Sequence, residues 1–253
     1  MQTAPFVLSG GGVRGAAHLG VLRAFAERGI LPGAISGTSA GALVGVLIAD
    51  GRTPGEAMGL VRAEMKRSNF IRRPALASKR IEAFLAKTLR HQRFEELPIP
   101  LFVSATDLEK GGQRIFHTGD LVPALMASCA IPVVFPPVLV DGTYYVDGGI
   151  SNNLPVEPFL GELDRVVCVH VNPLPPFVPG RRSMLRTMDR IWHLNFREMV
   201  VRSARGCRLF VEPPELSRFN MFELGKLDAI GEIGYNWALQ LIDGLPQGLV
   251  QSP

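Results

Sequence analysis

Ser39 lies at the centre of a Gly-x-Ser-x-Gly pattern, GTSAG at residues 37–41. A short apolar segment at 34–36 predicts a strand before it, and the apolar residues from 40 to about 50 predict a helix after it. A sharp strand-to-helix turn of this kind holds a serine hydroxyl exposed for nucleophilic attack. The pattern therefore favours acyl transfer through Ser39, although an ordinary tight turn would also explain it.

A glycine-rich loop, SGGGVRG at residues 9–15, joins the first predicted strand to the first predicted helix. Its uncovered backbone N–H groups and the positive end of the following helix suit an anion. If the two strands are neighbours in a parallel sheet, the loop emerges beside Ser39. We therefore expect N–H groups of this loop to form an oxyanion hole.

Dinucleotide binding is the competing interpretation of this loop, because it also reads Gly10-x-Gly12-x-x-Gly15. That fingerprint requires an acidic residue about 20 positions further on, at the end of the second strand. Glu27 comes too early and Asp50 follows the next helix. The sequence therefore disfavours a nucleotide, and it lacks the Gly-Lys-Ser/Thr of a Walker loop.

A serine nucleophile needs a base, and Asp147 is the first candidate. It ends the predicted strand 144–146 and is followed by two glycines, a pattern that an ordinary turn would also produce. A carboxylate with an ordinary pKa near 4 is a weak base. We expect burial beside Val146 and Ile150 to raise the pKa of Asp147 toward working pH.

A conventional triad is the alternative, because Ser39, Asp147 and His170 follow one another in the order of an α/β-hydrolase. His170 lies in an apolar strand, which is more typical of a hydrogen-bonded core residue. The other histidines are placed on helices or at predicted surface positions: His18, His91, His117 and His193.

Taken in order, these three motifs resemble those of the patatin-like phospholipases. The segments ASCAIP at 127–132 and FPP at 135–137 agree further, and the resemblance runs from about residue 7 to 173. It implies a Ser39–Asp147 dyad in which Asp147 is the general base and the loop from Gly10 to Gly12 holds the oxyanion. Arg14 matches the basic position of the family's loop and is expected to support the oxyanion or a substrate phosphate.

The resemblance also implies carboxylic esters of (lyso)phospholipids or related lipids as substrates, with no metal and no cofactor. Intact motifs do not by themselves establish turnover. A catalytically silent patatin-like module that binds lipid or regulates a partner is therefore the alternative function.

The predicted elements alternate between strands and helices along the whole chain. This order predicts an α/β fold with a mainly parallel central sheet and helices on both faces. No linker divides the sequence, so residues 1–253 are expected to form a single domain. The further predicted strands lie at 100–106, 113–116, 138–140 and 165–171, and the turn at 141–143 joins 138–140 to 144–146. The further predicted helices begin at or near Thr53, where Thr53 and Glu56 have a capping-box pattern, and at or near Ser78, Asp120, Ser183 and Lys226.

Charge and composition bear on partners and location. The chain has no apolar run near the roughly 18 residues of a membrane span, and no signal-peptide pattern, which predicts a cytoplasmic protein. Residues 62–80 and 181–208 each carry a net charge of +6 beside apolar side chains, against +4 for the whole chain. They predict peripheral contact with anionic membranes, with ordinary solvated surface as the alternative, and no nucleic acid is expected.

The three cysteines are Cys129, Cys168 and Cys207, with neither a CxxC spacing nor a histidine cluster nearby. We expect buried, reduced thiols and no metal site.

Overall fold

The computed structural model describes residues 2–67, 74–176, 184–221 and 223–244. Its strands form one sheet: β1 (Gln2–Leu8), β2 (Ile30–Thr38), β3 (Leu101–Asp107), β4 (Gly112–Phe116), β5 (Val138–Val140), β6 (Thr143–Asp147), β7 (Val167–Val169) and β8 (Leu209–Val211). Its α-helices are α1 (Ala16–Glu27), α2 (Ala40–Ala49), α3 (Pro54–Arg67), α4 (Pro74–Thr88), α5 (Leu121–Ser128), α6 (Met184–Ser203) and α7 (Leu227–Asp243).

The sheet is parallel at its centre and antiparallel at one side. Strands β3, β2, β1, β7 and β8 lie next to one another in this order and run parallel. The hairpin of β5 and β6 continues the sheet beyond β3 in the antiparallel sense, and β4 also pairs antiparallel with β3. This arrangement confirms the predicted α/β fold with a mainly parallel sheet.

Side chains alternate between two cores along the central strands, as the two-residue period of a strand requires. Phe6 and Leu8 of β1 point into a large core shared with α1, α2, α5 and α7. Val7 and Cys168 point to the opposite face, where they pack with Val200 of α6. Helices therefore cover both faces of the sheet, as predicted.

Most predicted elements are present, with shifts at their ends. The capping box that begins α3 is confirmed, since Glu56 Oε2 accepts a hydrogen bond from Thr53 N at 2.8 Å and Glu56 N donates to Thr53 Oγ1 at 3.3 Å. The prediction that the next helix begins at Ser78 is wrong, because α4 begins at Pro74. Asp120 does precede α5, but its carboxylate pairs with Arg93 and makes no capping hydrogen bond.

The sheet places the two glycine-flanked loops at one edge. In the register of β1 and β2, Leu8 lies opposite Gly37, so the segments that follow both strands leave the sheet side by side. Strand β6 runs antiparallel to β3 and brings Asp147 opposite Ala105. The topology therefore gathers Ser39, the glycine loop and Asp147 in one region.

Candidate active site

Ser39 sits in a sharp turn between β2 and α2, with φ 52° and ψ −119°. Such a conformation is unfavourable for a residue with a side chain, and its persistence at a site is typical of functional strain. Gly37 and Gly41, on either side of Ser39, must be glycines because neighbouring backbone atoms leave no room for a β-carbon. A β-carbon at Gly41 would lie 2.2 Å from the carbonyl oxygen of Leu8, and one at Gly37 would lie 2.7 Å from the nitrogen of Ala42.

Asp147 ends β6, and its carboxylate lies beside the side chain of Ser39. Its Oδ1 accepts a hydrogen bond from Gly149 N at 2.8 Å. The residue is buried, and burial raises its pKa to about 6, although the Ser39 side chain and the Gly149 N–H act in the opposite direction. Asp147 is therefore a stronger base than an exposed aspartate and lies next to the hydroxyl of Ser39.

Three consecutive residues at the end of α5, Ser128 to Ala130, contact both Ser39 and Asp147. Ser128 Oγ accepts a hydrogen bond from Ser39 N at 2.8 Å and donates one to Ser104 O at 2.6 Å. The Cys129 thiol lies beside the Ser39 side chain. The carbonyl oxygen of Ala130 accepts a hydrogen bond from Asp147 N at 3.0 Å. The segment 128–130 thus fixes both members of the pair.

No role was assigned to Ser128 from the sequence. The available signal was the ASCAIP segment itself, but its target is 89 residues away in the chain, and only the fold brings the two together. Cys129 was expected to be an inert buried thiol. Burial, with the Asp147 carboxylate beside it, raises the pKa of that thiol, so it stays protonated at neutral pH.

We predict that Ser128→Ala lowers kcat about 10- to 100-fold on a soluble ester, because it leaves the buried N–H of Ser39 without an acceptor. KM should change little, since the hydroxyl holds the turn and does not face the substrate. Steady-state kinetics on the folded variant provide the measurement, and Ser128→Thr, which keeps a hydroxyl, should recover part of kcat. A destabilised Ser128→Ala variant with unchanged kcat would contradict the positioning role.

The glycine loop contacts the site through its backbone. Gly10 N donates to Asn153 Oδ1 at 3.1 Å, and Asn172 Nδ2 donates to Gly10 O at 2.5 Å. Among the described residues, the N–H groups of Gly11 and Gly12 have no hydrogen-bond partner. Of the three glycines expected to hold an oxyanion, Gly10 therefore already has its N–H engaged, and the other two have theirs available.

Arg14 is buried, and its guanidinium is tied to neighbouring protein groups. Its Nε and Nη2 donate to the carbonyl oxygen of Phe219 at 3.0 and 2.8 Å, and Nη1 donates to Asn172 Oδ1 at 3.1 Å. Because Asn172 in turn holds Gly10, Arg14 braces the loop. This arrangement suits indirect support of the loop better than direct contact with a substrate phosphate.

The histidines make other contacts. His170 Nδ1 is 2.8 Å from Glu212 Oε1, and Glu212 is also paired with Arg197. His18 Nε2 is 2.8 Å from Ser9 O. Burial lowers the pKa of both rings, to about 4 for His18, so both are neutral at pH 7. The geometry offers no support for a triad through His170, and the His193 side chain lies outside the described residues.

Within the described ranges, no group of three or more His, Cys, Asp or Glu side chains is arranged to hold a metal ion. No described helix is long and apolar enough to cross a membrane. Much of the two basic segments, including 68–73 and 181–183, lies outside the described residues.

Comparisons with known proteins agree with this architecture. An uncharacterized NTE family protein of Mycobacterium tuberculosis is 32% identical over 186 residues, which cover 69% of this chain and 31% of that protein. Human patatin-like phospholipase domain-containing protein 6 is 25% identical over 98% of this chain, which spans 21% of its length. The chain thus spans less than a third of these relatives.

A solved structure shares the fold. VipD from Legionella pneumophila superposes with a TM-score of 0.57 at 17% sequence identity, covering 96% of this chain and 67% of that one. The sequence profile of the patatin-like phospholipase family matches residues 6–160, which include Ser39, Asp147 and the glycine loop. The chain therefore belongs to the patatin-like phospholipase family.

Proposed function

We propose that the protein is a serine acyl hydrolase that cleaves carboxylic esters of (lyso)phospholipids or related lipids through a Ser39–Asp147 dyad. The observation that carries the proposal is the buried pairing of the strained Ser39 with an adjacent aspartate whose pKa is raised to about 6. The nucleophile lies in the turn after β2 and the base at the end of β6, so the fold brings the two side by side.

In the acylation step, Asp147 accepts the proton of Ser39 as Oγ attacks the carbonyl carbon of the ester. The tetrahedral intermediate collapses, the alcohol leaves, and Asp147 returns the proton to its oxygen. In the second step Asp147 takes a proton from water, whose oxygen attacks the acyl-serine. The acid is released, and the proton returns to Ser39.

The negative charge of each tetrahedral intermediate needs nearby donors. We assign these to the free N–H groups of Gly11 and Gly12 and to the first N–H groups of α2, which have no partner within the helix. Gly10 and Arg14 stabilise the same loop. Gly10 N donates to Asn153, and Arg14 donates to Asn172. No metal or cofactor enters these steps.

A narrow apolar cleft beside the site would have to widen to receive a lipid acyl chain. It is lined by Cys129, which lies beside Ser39, and by apolar side chains of α4, α5, β5 and the loop between α5 and β5: Ile81, Met126, Ala130, Phe135, Pro136 and Val138. A hydrocarbon chain buried there would gain roughly 0.8 kcal/mol per CH₂ group. Once open, the cleft would thus favour a fatty ester over a small polar one.

The proposal is tested by incubating the protein with a panel of diacyl and lysophospholipids and measuring released fatty acid, alongside labelling with a fluorophosphonate probe. We expect both labelling and fatty acid release. Labelling without lipid hydrolysis would overturn the lipid substrate class but keep the activated serine. If neither occurs while lipid still binds, the silent lipid-binding module becomes the better description.

The pH dependence provides a direct test of the base. Asp147 accepts a proton only when ionised, and burial raises its pKa to about 6. We therefore predict that kcat/KM for a soluble ester rises with pH and reaches half its plateau near pH 6, whereas an exposed aspartate would give a plateau well below pH 5. A midpoint near pH 7 that disappears in His170→Ala would instead favour the triad.

We further propose peripheral contact of a cytoplasmic protein with anionic membranes at the rim of this cleft. Val133 is fully exposed with φ 71°, a strained conformation for a β-branched residue, and lies in the loop that lines the cleft. Leu139 and Tyr144, cross-strand neighbours on the edge hairpin, are also exposed. These side chains would enter the head-group region. The basic segment 62–80 reaches the same cleft at Ser78 and would favour anionic lipid there.

We predict that Val133→Asp lowers hydrolysis of lipid in anionic vesicles several-fold but leaves hydrolysis of a soluble ester unchanged. Vesicle sedimentation at low and high salt should show weaker binding of the variant and weaker binding of the wild type as salt rises. Leu160→Asp, at another exposed apolar residue that does not line the cleft, is the control. Equal effects of both substitutions, or equal wild-type binding to neutral vesicles, would contradict this surface.

A further inference from the structure

Two cysteines far from the candidate active site lie in direct contact. Cys168 is in the middle of β7, and Cys207 lies in the turn between α6 and β8. Their sulfur atoms are 3.1 Å apart, with Cys168 Sγ donating to Cys207 Sγ. Cys129 and Cys168 are buried, as expected, but the expectation is wrong for Cys207, which is partly exposed.

The two thiols differ in a way that suits sequential reaction. Cys168 is fully buried beneath Cys207, whereas Cys207 can be reached from solvent. The hydrogen bond from Cys168 lowers the pKa of Cys207 and raises that of Cys168, so the outer sulfur is the more nucleophilic in character. Arg205 and Arg208 flank Cys207 in the chain and favour approach of an anionic reagent.

We propose that Cys168 and Cys207 form a reversible disulfide, with Cys207 as the attacking and Cys168 as the resolving thiol, and that a small-molecule disulfide such as oxidised glutathione is the oxidant. This modification site is independent of the acyl hydrolase proposal, because neither thiol contacts Ser39 or Asp147.

The exchange proceeds in two balanced steps. The Cys207 thiolate attacks one sulfur of oxidised glutathione, which breaks the S–S bond and releases one glutathione thiolate. Cys168 then loses its proton and attacks Cys207 Sγ, which releases the second glutathione. The protein loses two electrons and two protons, and one oxidised glutathione becomes two reduced molecules.

The surroundings allow bond formation with little movement. A disulfide is about 2.05 Å long, so the sulfurs need to approach by roughly 1 Å. Cys168 is fixed in the sheet between β1 and β8, whereas Cys207 belongs to a turn that follows the positive-φ residue Gly206. The turn is therefore the side that moves. The bond would join β7 to the end of α6 and close the chain between residues 168 and 207.

The experiment treats the full chain with oxidised glutathione, blocks free thiols with N-ethylmaleimide under denaturing conditions, and maps peptides by mass spectrometry without reduction. We expect the Cys168 and Cys207 peptides to be joined, while Cys129 carries the alkylating group. Melting temperature should rise by at least about 4 °C on oxidation and return on reduction.

Two variants separate the steps. Cys168→Ser should retain glutathione on Cys207 as a mixed disulfide and show no rise in melting temperature. Cys207→Ser should form neither a mixed disulfide with glutathione nor an internal disulfide. The proposal is overturned if wild-type Cys207 keeps bound glutathione while Cys168 remains a free thiol, or if Cys129 reacts in preference to both. The wild-type peptide map decides this even if a variant folds poorly.

Discussion

Replacing Ser39 by alanine is expected to lower kcat for ester hydrolysis by about 10⁶-fold and to abolish labelling by a fluorophosphonate probe. The substitution removes the oxygen that forms the acyl-enzyme. Among the described residues no other hydroxyl acts on the Asp147 carboxylate, since the Thr106 hydroxyl donates to the backbone carbonyl of Asp147. The fold should survive, because Ser39 N keeps its acceptor on Ser128. Single-turnover and steady-state kinetics, with circular dichroism for folding, provide the measurement.

Ser36→Ala is the matched control. Ser36 is a fully buried serine three residues earlier, on β2, and its Oγ has no hydrogen-bond partner among the described residues. Its removal tests whether the loss of a buried hydroxyl from β2 by itself lowers activity or probe labelling. We expect full activity and full labelling in this variant. Labelling that persists in Ser39→Ala would mean that another residue is the nucleophile.

Asp147→Asn is expected to lower kcat by about 10⁴-fold, comparable to the loss of other residues that assist a serine nucleophile. The amide is nearly isosteric with the carboxylate and can still accept a hydrogen bond, but it cannot take the proton of Ser39. Because the contact with Gly149 N can remain, the local structure should change little. The measurement is kcat on a soluble ester at a pH well above 6.

Two controls accompany this variant. Asp107→Asn alters another buried aspartate at a strand end, whose Oδ1 accepts hydrogen bonds from Glu109 N and Lys110 N in the turn after β3. His170→Ala alters the histidine that a triad would need. We expect near-normal kcat in both. A folded His170→Ala protein as inactive as Asp147→Asn would replace the dyad with a triad.

The strongest local signals in the sequence correctly predicted the framework of the site. The strand before Ser39 and the helix after it are present, because an apolar segment, two glycines and an apolar helix leave few other conformations. The hairpin around Gly142 and the capping box at Thr53 are equally local, and both were predicted. Such features depend on residues only a few positions apart.

What could not be predicted depends on contacts between distant residues. The hydrogen bond from Ser39 N to Ser128, the use of Gly10 N by Asn153, and the tether of Arg14 to Phe219 all join segments that only the fold brings together. Strand β8 was missed for a related reason, since its three residues are a strand mainly because β7 is beside them. The local sequence pattern does not indicate which distant residues these groups contact.

The burial of the Asp147 carboxyl has a consequence for the stability of the whole protein. Its pKa is about 6 in the folded chain against 3.8 as the ordinary value, so the folded state holds this proton more tightly than the unfolded state does. Below pH 3.8 both states are protonated. As pH rises from there through 6 the unfolded chain ionises first, and the free energy of unfolding falls by on the order of 3 kcal/mol from this group.

At the pH where Asp147 can act as a base, its ionisation therefore destabilises the fold. The loss is a sizeable fraction of the 5–15 kcal/mol that is typical for the free energy of unfolding of a domain. A neutral amide at the same position carries no such pH-dependent term. By thermodynamic linkage, Asp147→Asn should unfold at a higher temperature than the wild type at pH 8, with the difference shrinking toward pH 4. The chain that has lost its activity would then be the more stable of the two.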